Sequence, residues 1–252
     1  MTKATGIEFR DVMVAPQQVS DDKIGAESAG VVDEVGAAWQ QSLAPGDRVC
    51  GSLDGSFRTL VRVSGANLIR VPPDISFVEA AAIPVAYATA QYALRYLARL
   101  QPGESILIYA AAGGMGQAAV HLAQRTGATV YATVSTPEKG NILIDRFGIE
   151  AGHISSSRHT LFTSQVLQRK GGRGVDVVLD SLAGQALAEI WRCLAPLGRF
   201  IELGKRDIRA FNRLPMEPFS RNVSFFLLDL KLLAKHNPVL LRTIMQEIQT
   251  LV

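Results

Sequence analysis

Residues 109–124 read YAAAGGMGQAAVHLAQ, and positions 111–116 within them have the form A-x-G-x-x-G. An apolar run, SILIY, leads into this stretch and an amphipathic pattern leads out. Small residues between a strand and a helix leave open the space that a pyrophosphate would fill, and the helix N-terminus offers free N–H groups to its oxygens. Ala111, Ala112, Gly113, Gly114, Met115 and Gly116 are therefore the candidate dinucleotide cradle. A tight strand-to-helix turn in an unrelated α/β protein is the competing reading. A site for NAD carries an acidic residue at the end of the second strand, about 20 residues on, to hold the ribose 2′-hydroxyl. Here that strand, TVYATV, runs into Ser135 and Thr136, with Lys139 beyond. A hydroxyl and a cation suit a 2′-phosphate, so the expected cofactor is NADPH, read by Ser135 and Lys139. A lysine on a solvated helix face is the alternative for Lys139.

The elements that must position these groups change character near residue 72. Before it, short β-rich runs such as AGVVDEVG and FRTLVRV are punctuated by Gly25, Gly30, Gly36, Gly46, Gly51 and Gly55, which predicts a partly closed, barrel-like β region. After it, strands and helices alternate. SILIY precedes a helix over 114–126, TVYATV a helix over 137–147, and HISS a helix at about 160–170. VDVVLDSL precedes a helix over 184–194, GRFIELG and SFFLLDL come next, and a helix with Pro238 in its first turn comes last. That alternation predicts a parallel sheet covered on both faces. A net charge of +3 with no block of Lys or Arg is too small to argue for nucleic-acid or membrane binding. No run of about 18 apolar residues is present. Cys50 and Cys193 have no metal-like spacing and fit a reducing, cytoplasmic compartment.

Beyond these readings the chain resembles the enoyl reductase domain of polyketide synthases, above all the highly reducing fungal type, and of animal fatty acid synthase. Both lie within the medium-chain dehydrogenase/reductase superfamily. The segments that carry the resemblance are FRDVM (9–13), IGAESAGVV (24–32), PGDRV (45–49), AAAGGMGQAA (110–119), SSR (156–158), GVDVVLDSLAG (174–184) and GRFIELGKRDI (198–208). They run through nearly the whole chain in the family's order. The resemblance implies a Rossmann-type doubly wound nucleotide-binding domain and an incomplete GroES-like β-barrel substrate domain. It implies domain limits of 1–75 for the partial substrate domain and 76–230 for the nucleotide domain, with residues 231–252 a helix leading back. The zinc branch of the superfamily has G-H-E where this chain has Gly25, Ala26 and Glu27. The histidines at 121, 153, 159 and 236 form no ligand spacing, so no metal is expected.

The reaction implied is hydride transfer from NADPH to Cβ of a trans-2-enoyl thioester on an acyl carrier protein, then protonation at Cα. By resemblance Lys205 and Asp229 are the proton donors. A lysine after the carboxyl end of a buried parallel strand agrees with that. A bare carboxylate in the apolar run FLLDL is costly unless paired, and pairing with Lys205 would satisfy both. By resemblance Thr89, Arg158, Ser181, Leu203 and Gly204 are expected at the cofactor, and Arg10, Asp11 and Tyr87 at the substrate cleft; a surface salt bridge for Arg158, an internal Arg10–Asp11 pair holding a β-turn and core packing of Tyr87 are the alternatives. The family has Asn where this chain has Asp180, which puts a negative charge beside the Ser181 loop. Relative to the family the chain starts almost at FRDVM and stops after one helix, so a fragment lacking both ends of the substrate domain is expected. Neighbouring synthase domains and a homodimer through the nucleotide domain are expected as partners. Two other functions stay open. One is a quinone oxidoreductase-like reductase of small free substrates, against which GKRDI and SSR speak. The other is an inactive enoyl reductase domain kept for structure.

Overall fold

The computed structural model describes residues 1–17, 23–158 and 161–251; His159 lies outside these. The chain forms two compact units, Met1–Ala88 with Leu230–Val252, and Thr89–Asp229.

The first unit is built on an antiparallel sheet of β1 (Thr2–Thr5), β2 (Glu27–Val31), β3 (Arg48–Ser52) and β4 (Leu68–Arg70), in that order. FRDVM, in a region that reads as β-rich, is instead helical: α1 spans Phe9–Val14. Asp11 explains this. Its Oδ2 accepts from the Glu8 N–H at 2.9 Å, capping the helix start, and its Oδ1 accepts from the Gly25 N–H at 2.8 Å. Residues 76–88, which the resemblance puts with the nucleotide domain, group with this unit, where α2 (Phe77–Ala81) lies on β1, β2 and β3. The next helix is α3 (Pro84–Gln91).

The second unit is a six-stranded, wholly parallel sheet. In chain order it comprises β5 (Ser105–Ile108), α4 (Gly114–Thr126), β6 (Thr129–Val134), α5 (Pro137–Phe147), β7 (Ile154–Ser156), α6 (Leu161–Arg169), β8 (Val175–Asp180), α7 (Gln185–Trp191), β9 (Leu194–Glu202), α8 (Arg206–Arg209) and β10 (Ser224–Leu227). The spatial order β10-β9-β8-β5-β6-β7 is the doubly wound arrangement of dinucleotide-binding sheets. β8 is buried along its whole length, as a strand covered on both faces must be. Helices α4 and α5 both stop at glycines with left-handed backbone, Gly127 (φ 83°) and Gly148 (φ 63°). β9 begins four residues before the GRFIELG pattern, at Leu194.

The chain then returns to the first unit as α9 (Leu230–His236) and α10 (Pro238–Gln249). In α10 the Asn237 side chain caps the Leu240 N–H at 3.1 Å, and Leu241, Ile244, Met245 and Ile248 form one buried stripe.

Trp191 anchors the core beside β8 and β9. It is fully buried, meets Phe200, Phe219 and Phe225 edge-on with centroids 5.1–5.7 Å away, and donates its indole N–H to Pro215 O at 3.0 Å. Trp191→Ala should destabilise the six-stranded unit by about 3–5 kcal/mol. Urea unfolding followed by far-ultraviolet circular dichroism would show the lowered midpoint.

Candidate functional site at the carboxyl edge of the parallel sheet

In a parallel sheet every strand ends at the same edge, and ligands bind outside that edge where the strand order reverses. Here the reversal lies between β5 and β8, the central neighbours. The A-x-G-x-x-G turn comes after β5, Ser135 and Lys139 after β6, and Arg158 after β7. Ser181 comes after β8, Leu203 to Lys205 after β9, and Asp229 after β10. The fold thus gathers these sequence-predicted groups at one edge.

The turn after β5 is held tightly. Ala110 takes a left-handed backbone (φ 51°) and donates its N–H to Thr133 Oγ1 at 3.1 Å, while the Ala111 N–H bonds Thr133 O at 3.0 Å. A non-glycine residue in that conformation stores strain that surrounding bonds must over-determine. Gly116 seats the helix: a Cβ there would lie 2.6 Å from both Ala111 Cα and Ala111 O. Gly114 is the opposite case. It is exposed, and a Cβ on it would have nothing within 4 Å. Gly113 opens α4 with no side-chain cap, so the first-turn N–H groups of a 13-residue helix face outward with its positive dipole end. This cradle fits a pyrophosphate.

At the end of β6 the Thr136 hydroxyl caps α5 by accepting from the Lys139 N–H at 3.4 Å. The Arg158 Nε donates to Ser135 O at 2.7 Å, so a guanidinium and the Ser135 backbone meet there. The Lys139 side chain is exposed.

Across the edge, the Lys205 ammonium is ion-paired with Asp229 Oδ2. Their side chains are 33% and 18% exposed, which leaves the pair open to a ligand from one side. The structure therefore joins the two residues named for proton transfer. Gly204 fits under them because a Cβ would strike Glu202 Oε1 at 2.6 Å.

Asp11 is 3% exposed and spends both oxygens on backbone N–H groups of its own unit. Arg10 adjoins it on α1. Tyr87 and Thr89 lie on α3, with Tyr87 half-buried and its hydroxyl pKa raised by that burial.

Three buried carboxyls were not marked by spacing as functional groups. Glu27 accepts the Val85 N–H at 2.8 Å; burial, joined by Glu8 and Asp11, pushes it up to about 8. Asp180 and Glu202 end β8 and β9, and burial raises them to about 7 and about 9. A charged residue closing an apolar strand run, as in VDVVLD and FIE, is the signal that could have found the last two. Among the described residues no cluster of three or more His, Cys, Asp or Glu is arranged to hold a metal ion.

This edge is that of a nicotinamide-dependent oxidoreductase, and the comparisons agree. The profile of the zinc-binding dehydrogenase family matches residues 114–227. The crystal structure of the CurK enoyl reductase superposes with a TM-score of 0.87 at 34% identity, covering 99% of this chain and 77% of that one. A quinone oxidoreductase of Pseudomonas syringae superposes with a TM-score of 0.82 at 28% identity, covering 98% and 77%. The lovastatin diketide synthase lovF of Aspergillus terreus is 46% identical over 231 residues, which are 90% of this chain and 9% of that protein. The highly reducing polyketide synthase azaB of Aspergillus niger is 50% identical over 229 residues, again 90% and 9%. The chain thus spans about a tenth of the length of these synthases. It belongs to the enoyl reductase domains of polyketide synthases, in the medium-chain dehydrogenase/reductase superfamily. Its six-stranded unit is a nicotinamide-cofactor-binding domain.

Gly116→Ala should push the N-terminus of α4 off the β5 turn. Cofactor affinity is expected to fall at least about tenfold, as one lost charge-assisted contact would give. Titration of reduced-nicotinamide fluorescence checks it.

Proposed function

We propose that this chain reduces a trans-2-enoyl thioester carried on an acyl carrier protein, using NADPH. The observation that carries the reading is the Lys205–Asp229 ion pair at the same sheet edge as the glycine cradle. Bound NADPH supplies the hydride, to Cβ. The chain's own work is positioning and proton supply. The α4 N-terminus and the open face at Gly114 would hold the pyrophosphate. Ser135, Lys139 and Arg158 would take the 2′-phosphate, and Arg158 already reaches the Ser135 backbone. Thr89, Ser181 and the Leu203–Gly204 backbone would line the nicotinamide end.

Lys205 would stabilise the thioester oxygen as it becomes enolate-like and deliver the proton to Cα. Asp229 fixes where the ammonium points. Arg10, Asp11 and Tyr87 are assigned to substrate from the resemblance alone. The synthase relatives support an acyl carrier protein and neighbouring catalytic domains as partners. The outer strand β10, with β9 on one side of it, is the edge through which we propose that two copies pair. The free, buried thiols of Cys50 and Cys193 suit a cytoplasmic protein. The likeness to a quinone oxidoreductase favours a second reading, reduction of a small free quinone.

Loss of nicotinamide absorbance with a trans-2-enoyl pantetheine thioester, and with a quinone as control, separates the two. Consumption with the thioester alone supports enoyl reduction; consumption with the quinone alone replaces it. Lys205→Ala should lower turnover at least about 100-fold, as loss of a general acid does, with cofactor affinity nearly unchanged. Lys139→Ala should weaken NADPH about tenfold and NADH hardly at all, and equal weakening of both would remove the 2′-phosphate assignment.

A further inference from the structure

The carboxyl edge holds two groups that the proposed chemistry does not use. Asp180 and Glu202 are register partners at the ends of adjacent parallel strands, so their side chains share one face of the sheet. Both are 1% exposed. Neither oxygen of Asp180, nor Oε2 of Glu202, has a hydrogen-bond partner among the described residues. The remaining oxygen, Glu202 Oε1, accepts from the Gly204 N–H. That bond fastens the carboxyl to the turn that carries Lys205. The Leu203 N–H bonds Asp180 O at 2.8 Å, and the Leu228 N–H, just before Asp229, bonds Glu202 O at 2.9 Å. The two carboxyl-bearing residues therefore sit between the backbone supports of Lys205 and of Asp229.

Among the described residues no cation is one of the groups that shift Asp180 or Glu202. From α8, Asp207 adds negative charge at Glu202 and spends an oxygen on the Gly184 N–H. The Lys205 ammonium is engaged by Asp229. On the β5 side Tyr109 lies beside Leu179, with its hydroxyl 3.5 Å from Ser157 O. The Ser181 and Leu182 N–H groups approach Asp180 and draw its pKa back without reaching hydrogen-bond geometry. Two ionised carboxylates in such a place repel at close range in a poorly solvated site. A single proton on either carboxyl removes the repulsion.

We propose that Asp180 and Glu202 retain one proton as a pair, on one carboxyl or the other, and that this singly charged pair positions Lys205, holding the Leu203–Lys205 turn while the proton stays and releasing it when the proton leaves. Burial places the ionisations at about 7 and about 9, on the neutral to alkaline side. The consequence for turnover rests on Lys205 being the proton donor; the carboxyl pair itself does not.

The test compares the chain with Asp180→Asn, which keeps the shape and removes one charge, and with Glu202→Gln. Amide resonances of Gly204 and Lys205 are monitored by NMR across neutral and alkaline pH. In the unaltered chain both should titrate together above neutrality. In Asp180→Asn, Glu202 loses its negative neighbour and gains an amide donor, so the transition should move down by at least about one pH unit. Glu202→Gln should abolish it. The alkaline limb of enoyl-thioester reduction should change in parallel with the Asp180→Asn amides. Superimposable amide titrations of the unaltered chain and Asp180→Asn would overturn the pair. Shifted amides with an unmoved kinetic limb would overturn the positioning of Lys205. Shifted amides in a chain that reduces no enoyl thioester would leave the pair standing and fell the reductase reading instead.

Discussion

A strand in a parallel sheet hands its chain to the same edge as every neighbour, and the candidate chemistry of this protein depends on that constraint. The ladder from β10 through β9, β8, β5 and β6 to β7 is parallel throughout. Groups up to about a hundred residues apart in sequence, the glycine cradle and the Lys205–Asp229 pair, therefore emerge together without any contact chosen for the purpose. What the side chains add is fine placement. Trp191 and its three phenylalanine neighbours fill the core against β9 and β10, the strands that end at Lys205 and Asp229. A shift in that packing would be felt at the ion pair, because close-packed interiors transmit displacement.

The cradle shows how small residues are used for two different ends. Gly116 is small because helix and turn touch there; Gly114 is small because nothing does. A motif match treats the two alike, yet one is packed against the turn and the other borders open space. The strain at Ala110 belongs to the same design. Thr133, fully buried on β6, ties down both Ala110 and Ala111, so the turn is held from the neighbouring strand.

Most of the second unit is legible in the sequence because long buried strands and capped helices leave periodic marks. The limits of α4, β6 and α5 fall where the pattern puts them, since Gly127, Thr136 and Gly148 punctuate them. The first unit is less legible. Helix α1 is six residues long, and its stabilising residue, Asp11, reaches across to Gly25, a contact that no local window contains. The resemblance places residues 76–88 at the start of the nucleotide domain, while α2 within them packs on the antiparallel sheet, a long-range contact that no local pattern displays. At the site, the partnership of Lys205 with Asp229 can be read from the cost of a bare carboxylate in an apolar run. The partnership of Asp180 with Glu202 cannot, because it depends on the register between β8 and β9, which sequence does not display.

The two aspartates of β8 separate what the opposite edges of the sheet are for. Asp176 stands near the amino end. Burial pushes its pKa up, but Arg173 at 2.7 Å and the Ser105 hydroxyl and N–H at 2.7 and 2.9 Å outweigh burial and hold it at about 2. Its charge is fully spent on tying β5 to β8, and it stays ionised throughout the physiological range. Asp180, four residues on, meets no such partners, and burial carries it to about 7. The same residue type on the same strand is thus a fixed structural anion at one edge and a titrating group at the other. An amino edge that existed only to stabilise the sheet would look as Asp176 does. A carboxyl edge that retains an unpaired buried carboxyl beside Glu202 keeps a local cost, and such costs persist where the surrounding structure uses them. The backbone bonds from Leu203 to Asp180 and from Leu228 to Glu202 show where that use would be felt, at the turns that carry Lys205 and Asp229.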